Sequence, residues 1–242
     1  MRSRSFFLAL AAAAMLVGLG APAHAGGLTL QDLINNDPTG TDFTLSNGVV
    51  INVNNVSYVP TSGGTATTPT AAEVAVTTTS LVAGGNTYAG LQFSSGWQSV
   101  GAGSFMDAAI TFNVTVLTPG VKLSDIHAFA NLATVGTGVA TMSEVVRQLD
   151  NPPPTVVAST ILTTANPAFN SLLAGGPYTS INIAKDLNLS TYAAGDVANT
   201  SIIQQLLSFQ GVVPEPSSMA LLGIGVTGLL AFRRFFKRTS VA

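Results

Sequence analysis

The chain has 242 residues, with nine Lys and Arg against eleven Asp and Glu, two His and no Cys. The lack of cysteine removes disulfides, thiolate nucleophiles and sulfur-ligated metal sites together. Between residues 26 and 212 the only basic side chains are Lys122, Arg147 and Lys185, against ten acidic ones, so the clustered cations that phosphate binding needs are missing and nucleic acid is excluded as a partner.

At the start, Arg2 and Arg4 precede an apolar stretch from Phe6 to Leu19 and the small-residue site Ala23-His24-Ala25, the layout of a secretory signal peptide. Residues 1–25 are therefore expected to be removed, leaving Gly26 first and residues 26–212 as one domain with its own core. Thr29 followed by Asp32 makes a capping box ahead of Leu30, Leu33 and Ile34, which predicts a short helix ending near Asn35 to Pro38. Phe43 to Ser46, then Asn47-Gly48, then Val49 to Val53 predict a hairpin about an Asn-Gly turn, with a second strand piece at Val56 to Val59. Residues 60–72 are rich in Thr, Gly and Pro, lack apolar periodicity, and are expected to form an exposed loop.

Further on, Ile110, Phe112, Val114 and Val116 alternate with polar residues before a Pro119-Gly120 turn, the signature of a strand with one buried face. Ile126, Ala128, Ala130 and Leu132 repeat that period. Strands are also expected over Ala140 to Leu149, Thr155 to Leu162, Tyr178 to Leu187 and Ser201 to Phe209. Many short strands with Gly, Asn and Pro turns and almost no helix predict an all-β ectodomain, an antiparallel β-sandwich of jelly-roll-like form. A barrel is the alternative that the pattern leaves open.

The end of the chain reads as three parts within residues 213–238. Val213, Pro214, Glu215 and Pro216 come first, then an uncharged apolar run over residues 217–232, then Arg233, Arg234, Lys237 and Arg238. As a helix the run rises roughly 24 Å at about 1.5 Å per residue, against a hydrocarbon core of about 30 Å, so it predicts a short transmembrane anchor. The basic residues behind it act as a stop-transfer signal and place the C-terminus in the cytoplasm. In this order the three features resemble the PEP-CTERM sorting signal. The resemblance implies recognition by an exosortase, a membrane-embedded transpeptidase, with the secretion machinery and the inner membrane as further partners and the cell surface or medium as the destination. Residues 107–115 and 123–127, with Lys185-Asp186-Leu187 and Ser201-Ile202-Ile203, are similar to a domain family often joined to such tails, which supplies the sandwich but no activity.

Little in the body suggests catalysis. His127 is the lone histidine after residue 25 and lies out of phase with Ile126 and Ala128, so it faces away from the core or toward a second layer. Hydrolytic triads and zinc sites lean on histidine, and no enzyme activity, metal or cofactor is expected. Asp37 and Asp42 sit at turn positions that Asp favours anyway. Irregular threonines form no repeated ladder, which argues against ice binding. Trp97, with Tyr88 nearby, is either a core residue or a stacking platform for a sugar, and extracellular polysaccharide is the ligand the second reading implies. The Gly223-x-Gly225-x-x-Gly228 spacing is a mimic of a dinucleotide motif inside the apolar run, where small residues permit close helix approach. The sequence thus points to an exported surface or matrix protein, with a carbohydrate-binding module as the alternative.

Overall fold

Alternation of apolar and polar side chains organises almost every element. The computed structural model describes residues 27–83 and 86–211, together with Ile224, Val226 and Thr227. A short helix, α1 (Leu30–Asn35), leads into twelve strands. They are β1 (Thr41–Thr44), β2 (Val50–Gly63), β3 (Ala75–Ala83), β4 (Asn86–Val100), β5 (Phe105–Val116), β6 (Lys122–Ala130), β7 (Ala133–Val135), β8 (Val139–Gln148), β9 (Val156–Thr163), β10 (Ala168–Leu172), β11 (Ser180–Ser190) and β12 (Val197–Gln210).

The strands form two antiparallel sheets. The first has the order β1-β2-β5-β11-β8-β9, and the second runs β10-β6-β12-β4-β3, with β7 also paired to β12. Neither order closes on itself, so the molecule is a sandwich and not the barrel that the sequence left open. In β5 every second residue from Met106 to Val116 is buried, and the same period in β4, β6, β8, β11 and β12 fills one core from both sheets. The Phe93 ring meets Phe112 across the two sheets at 5.5 Å between centroids.

The predicted helix cap is present: Asp32 N donates to Thr29 Oγ1 at 3.2 Å and Thr29 N donates to Asp32 Oδ2 at 2.8 Å, while Leu30 and Leu33 are buried. The predicted hairpin is also present, and its two downstream strand pieces are one strand. A bulge between Asn54 and Ser57, with Asn55 at φ 52°, resets the phase so that both Val53 and Val56 face the core.

The exposed loop expected over residues 60–72 requires correction. β2 continues through Pro60 to Gly63, paired with β5. Its other neighbour, β1, reaches only Val50 to Val53, so Pro60 lies on a free edge where no N–H is needed. Thr67 then bridges to Gln98, and Ala71–Glu73 is a single 3-10 turn. The threonines after it belong to edge strand β3, where their branched side chains suit a half-exposed surface.

The whole of β4 was also hidden in the sequence, because Gly90, Ser94 and Gly96 interrupt its apolar pattern. Gly90 is there for proximity: a Cβ at this position would lie 2.0 Å from the backbone oxygen of Gln205 in neighbouring β12. The signal segment with Ala23, Ala25 and Gly26 lies outside the described residues. So does the tail, apart from Ile224, Val226 and Thr227, which are helical and exposed. Among the described residues no helix is long and apolar enough to cross a membrane.

Candidate functional site

Strand pairing assembles a polar and aromatic surface on the outer face of the second sheet. Asn170 of β10 pairs with His127 of β6, His127 with Leu206 of β12, and Leu206 with Gly90 of β4, so these four residues form one row across the sheet. Tyr88, two residues before Gly90, shares their face. Its ring lies 5.7 Å from that of His127, and its hydroxyl accepts a hydrogen bond from Asn170 Nδ2 at 3.4 Å. Leu206, which stands between Gly90 and His127 in the sheet, is buried. In the adjacent row Phe129 pairs with Gln204 and Gln204 with Gln92, and Gln204 Nε2 donates to Gln92 Oε1 at 2.8 Å.

Asp125 lies on this face as well, two residues before His127 and opposite Ser208. It is 8% exposed, and its Oδ1 has no hydrogen-bond partner. Burial raises its pKa above the ordinary carboxylate value, against backbone and Ser208 hydrogen bonds that act the other way. Burial also lowers the pKa of His127, opposed by the charges of Asp125 and Glu144. Burial thus disfavours the charged form of both groups, and because Asp125 is withdrawn from solvent, His127 is the one of the two that can reach a ligand.

The two aromatic residues singled out in the sequence do not form one site. Alternation along β4 puts Tyr88 outward and Trp97 inward, and Trp97 is 0% exposed. Its indole N–H donates to the Tyr58 hydroxyl at 3.1 Å, and that hydroxyl donates to the Pro69 carbonyl at 2.9 Å. An enclosed ring has no face to offer a sugar, so the stacking role considered for Trp97 is withdrawn. The packing role stands. Asp37 is the turn residue expected and accepts from Asn55 N, but the turn expected at Asp42 requires correction: it lies within β1, paired with Asn52, and accepts from Asn52 Nδ2.

A second group was not recognised from the sequence. Lys185 of β11 and Glu144 of β8 are direct cross-strand partners on the core face, and Lys185 Nζ bonds Glu144 Oε2. Their side chains are 1% and 0% exposed, and Glu144 Oε1 has no partner. The signal was available: Lys185 is in phase with Ile181, Ile183, Leu187 and Leu189, and Glu144 with Ala140, Met142 and Val146, all of them buried.

Asp196 secures the turn before β12. Its carboxylate accepts from Thr137 N at 3.0 Å, Thr137 Oγ1 at 2.6 Å, Ala193 N at 2.8 Å and Tyr192 N at 3.1 Å. These bonds, the Thr137 hydroxyl foremost, lower its pKa from 3.8 to about 2. Because the folded value is depressed, the unfolded chain takes up the proton first, and stability present above pH 3.8 is lost as the pH falls toward about 2. Urea midpoints measured across this range should fall in the native chain, and Asp196→Asn, which cannot titrate, should flatten that part of the curve.

Val213, Pro214, Glu215 and Pro216 lie outside the described residues, as do Arg233, Arg234, Lys237 and Arg238. Residues 212–234 match the family model described as the PEP-CTERM protein-sorting motif. No curated protein matches the chain. Among solved structures, the enzymatically active domain of tailspike protein 4 from bacteriophage CBA120 overlaps 64% of this chain at 20% identity and a TM-score of 0.27. This chain spans only 19% of that one. TmCBM61, solved with beta-1,4-galactotriose, overlaps 62% of this chain and 88% of its own at 10% identity, with a TM-score of 0.28. The family 11 carbohydrate-binding module of Clostridium thermocellum, solved with a mixed-linked tetrasaccharide, covers 62% and 88% at 11% identity and a TM-score of 0.21. Scores this low carry no argument about ligand or activity.

Proposed function

We propose that the chain is a non-enzymatic surface or extracellular-matrix protein. In this reading it is exported by its N-terminal signal, held by its C-terminal apolar run, and processed by an exosortase at Pro214-Glu215-Pro216. The match of residues 212–234 to a sorting motif carries the reading. The body adds support from its composition, with a single histidine and no cysteine to build a nucleophilic site. Replacing Pro214, Glu215 and Pro216 by alanine should stop processing, so that the variant accumulates in the membrane fraction with its tail intact. A variant recovered from the surface or medium at the same mass as the native product would overturn the role of the motif.

A second reading, polysaccharide binding by the sandwich, rests on the outer face of the second sheet. There Gln92, His127, Asn170 and Gln204 present partly or fully exposed side chains of the kind that hydrogen-bond sugar hydroxyls, with the buried Tyr88 ring behind His127 and Asn170. The chemistry fits a neutral glycan better than an acidic one, because the body carries few cations. Affinity electrophoresis in gels containing soluble neutral polysaccharides tests it. Gln204→Ala should weaken retardation about tenfold, the equivalent of one lost hydrogen bond, and migration unchanged by every polysaccharide tried would sink this reading.

A further inference from the structure

Lys185 and Glu144 pose a physical problem that neither sorting nor surface binding addresses. Two charged side chains are withdrawn completely from water at the middle of the first sheet, where β11 lies between β5 and β8. Their neighbours on the core face are Ile183 and Leu187 along β11, Met142 and Val146 along β8, and Ile110 opposite Lys185 on β5, all buried. A buried ion pair recovers its desolvation cost only with full hydrogen bonding, and here Glu144 Oε1 has no partner.

We propose that Lys185 and Glu144 are the site of an autocatalytic amide cross-link, formed between Nζ and the Glu144 Cδ after the core has closed. The step balances without a co-reactant. A proton passes along the existing hydrogen bond from the ammonium to the carboxylate, giving an amine and a carboxylic acid. The amine lone pair attacks Cδ, the new C–N bond forms, and the C–O bond breaks as the hydroxyl leaves with a proton from nitrogen as water. One amide and one water replace the pair, and nothing is oxidised or reduced.

Three features of the fold favour this outcome over a lasting ion pair. Antiparallel pairing holds the two groups directly opposite each other, and such fixed proximity is worth effective concentrations of about 10⁵ M or more in intramolecular reactions. The apolar surroundings disfavour the charged reactants and favour the neutral product. Exclusion of water also removes the nucleophile that would reverse the reaction. The link ties β8 to β11 across 41 residues of sequence in a chain that has no cysteine for a disulfide.

Mass spectrometry of the full-length native chain provides the test, applied after boiling in detergent and digestion with trypsin. Trypsin can cut after Lys122, Arg147 and Lys185 in this region. A cross-link blocks the cut at Lys185. The expected product joins residues 123–147 to a peptide that begins at Gln148 and runs uncut through Lys185, and it is lighter by one water than its two components. Lys185→Arg keeps a cation beside Glu144 but lacks a nucleophilic amine, and should lose this species completely. Recovery from the native chain of only unmodified peptides, with one of them ending at Lys185, would overturn the proposal and leave an ion pair alone.

Discussion

Replacing Lys185 by methionine should destabilise the chain by about 3–5 kcal/mol, because Glu144 is left as an uncompensated charge in a dry core. For a chain of this size that corresponds to a fall in Tm of roughly 10 °C. Glu144→Leu, which orphans the ammonium instead, should cost a similar amount. The informative variant is the double one, in which Met and Leu face each other between Ile183, Leu187 and Val146. It removes both charges and restores apolar packing, so it should be more stable than either single variant. It should still fall short of the native chain by the contribution of the covalent tie between β8 and β11. Urea unfolding of the four proteins measures the order directly. A double variant no better than the singles would mean that charge burial is not the source of the loss.

Trp97→Ala is the other change with a large effect. The ring is fully enclosed among residues from both sheets and has the largest side chain in the core, and removing such a ring typically costs about 3–5 kcal/mol. The loss also strips the Tyr58 hydroxyl of its indole donor, although that hydroxyl keeps its own bond to the Pro69 carbonyl. Tyr58→Phe leaves the buried indole N–H of Trp97 without its acceptor and should cost about 1–3 kcal/mol. Because Trp97 and Tyr88 face opposite sides of β4, Trp97→Phe should leave any polysaccharide affinity of the outer face unchanged. Near-ultraviolet circular dichroism and urea midpoints separate the packing effect from a binding effect.

Much of the architecture follows from patterns that are local in sequence. The capped helix depends on four consecutive residues, the first hairpin on Asn47-Gly48, and β5, β6 and β11 on period-two alternation, so each could be read from the chain alone. β3 and β4 could not, because threonines and glycines there replace the apolar marks while the backbone still pairs. β10 at the sheet edge has too few buried residues to announce itself. The outer face was illegible for another reason. Asn170, His127, Leu206 and Gly90 come from four strands, and only the strand order brings them into one row. The buried lysine and glutamate are an intermediate case: their phase was visible, but their mutual pairing required the β8–β11 register.

β12, the final strand of the sandwich, lies between β6 and β4 in the interior of the second sheet. A polypeptide threaded out of the cell N-terminus first presents β4 and β6 well before the strand that joins them. Until Gln210 has emerged the two have no common neighbour, and half of the core has no floor. The second sheet is therefore completed only with the arrival of this last strand. On the export and anchoring proposed above, a cut made before that strand inserts would release a protein still without the centre of its second sheet.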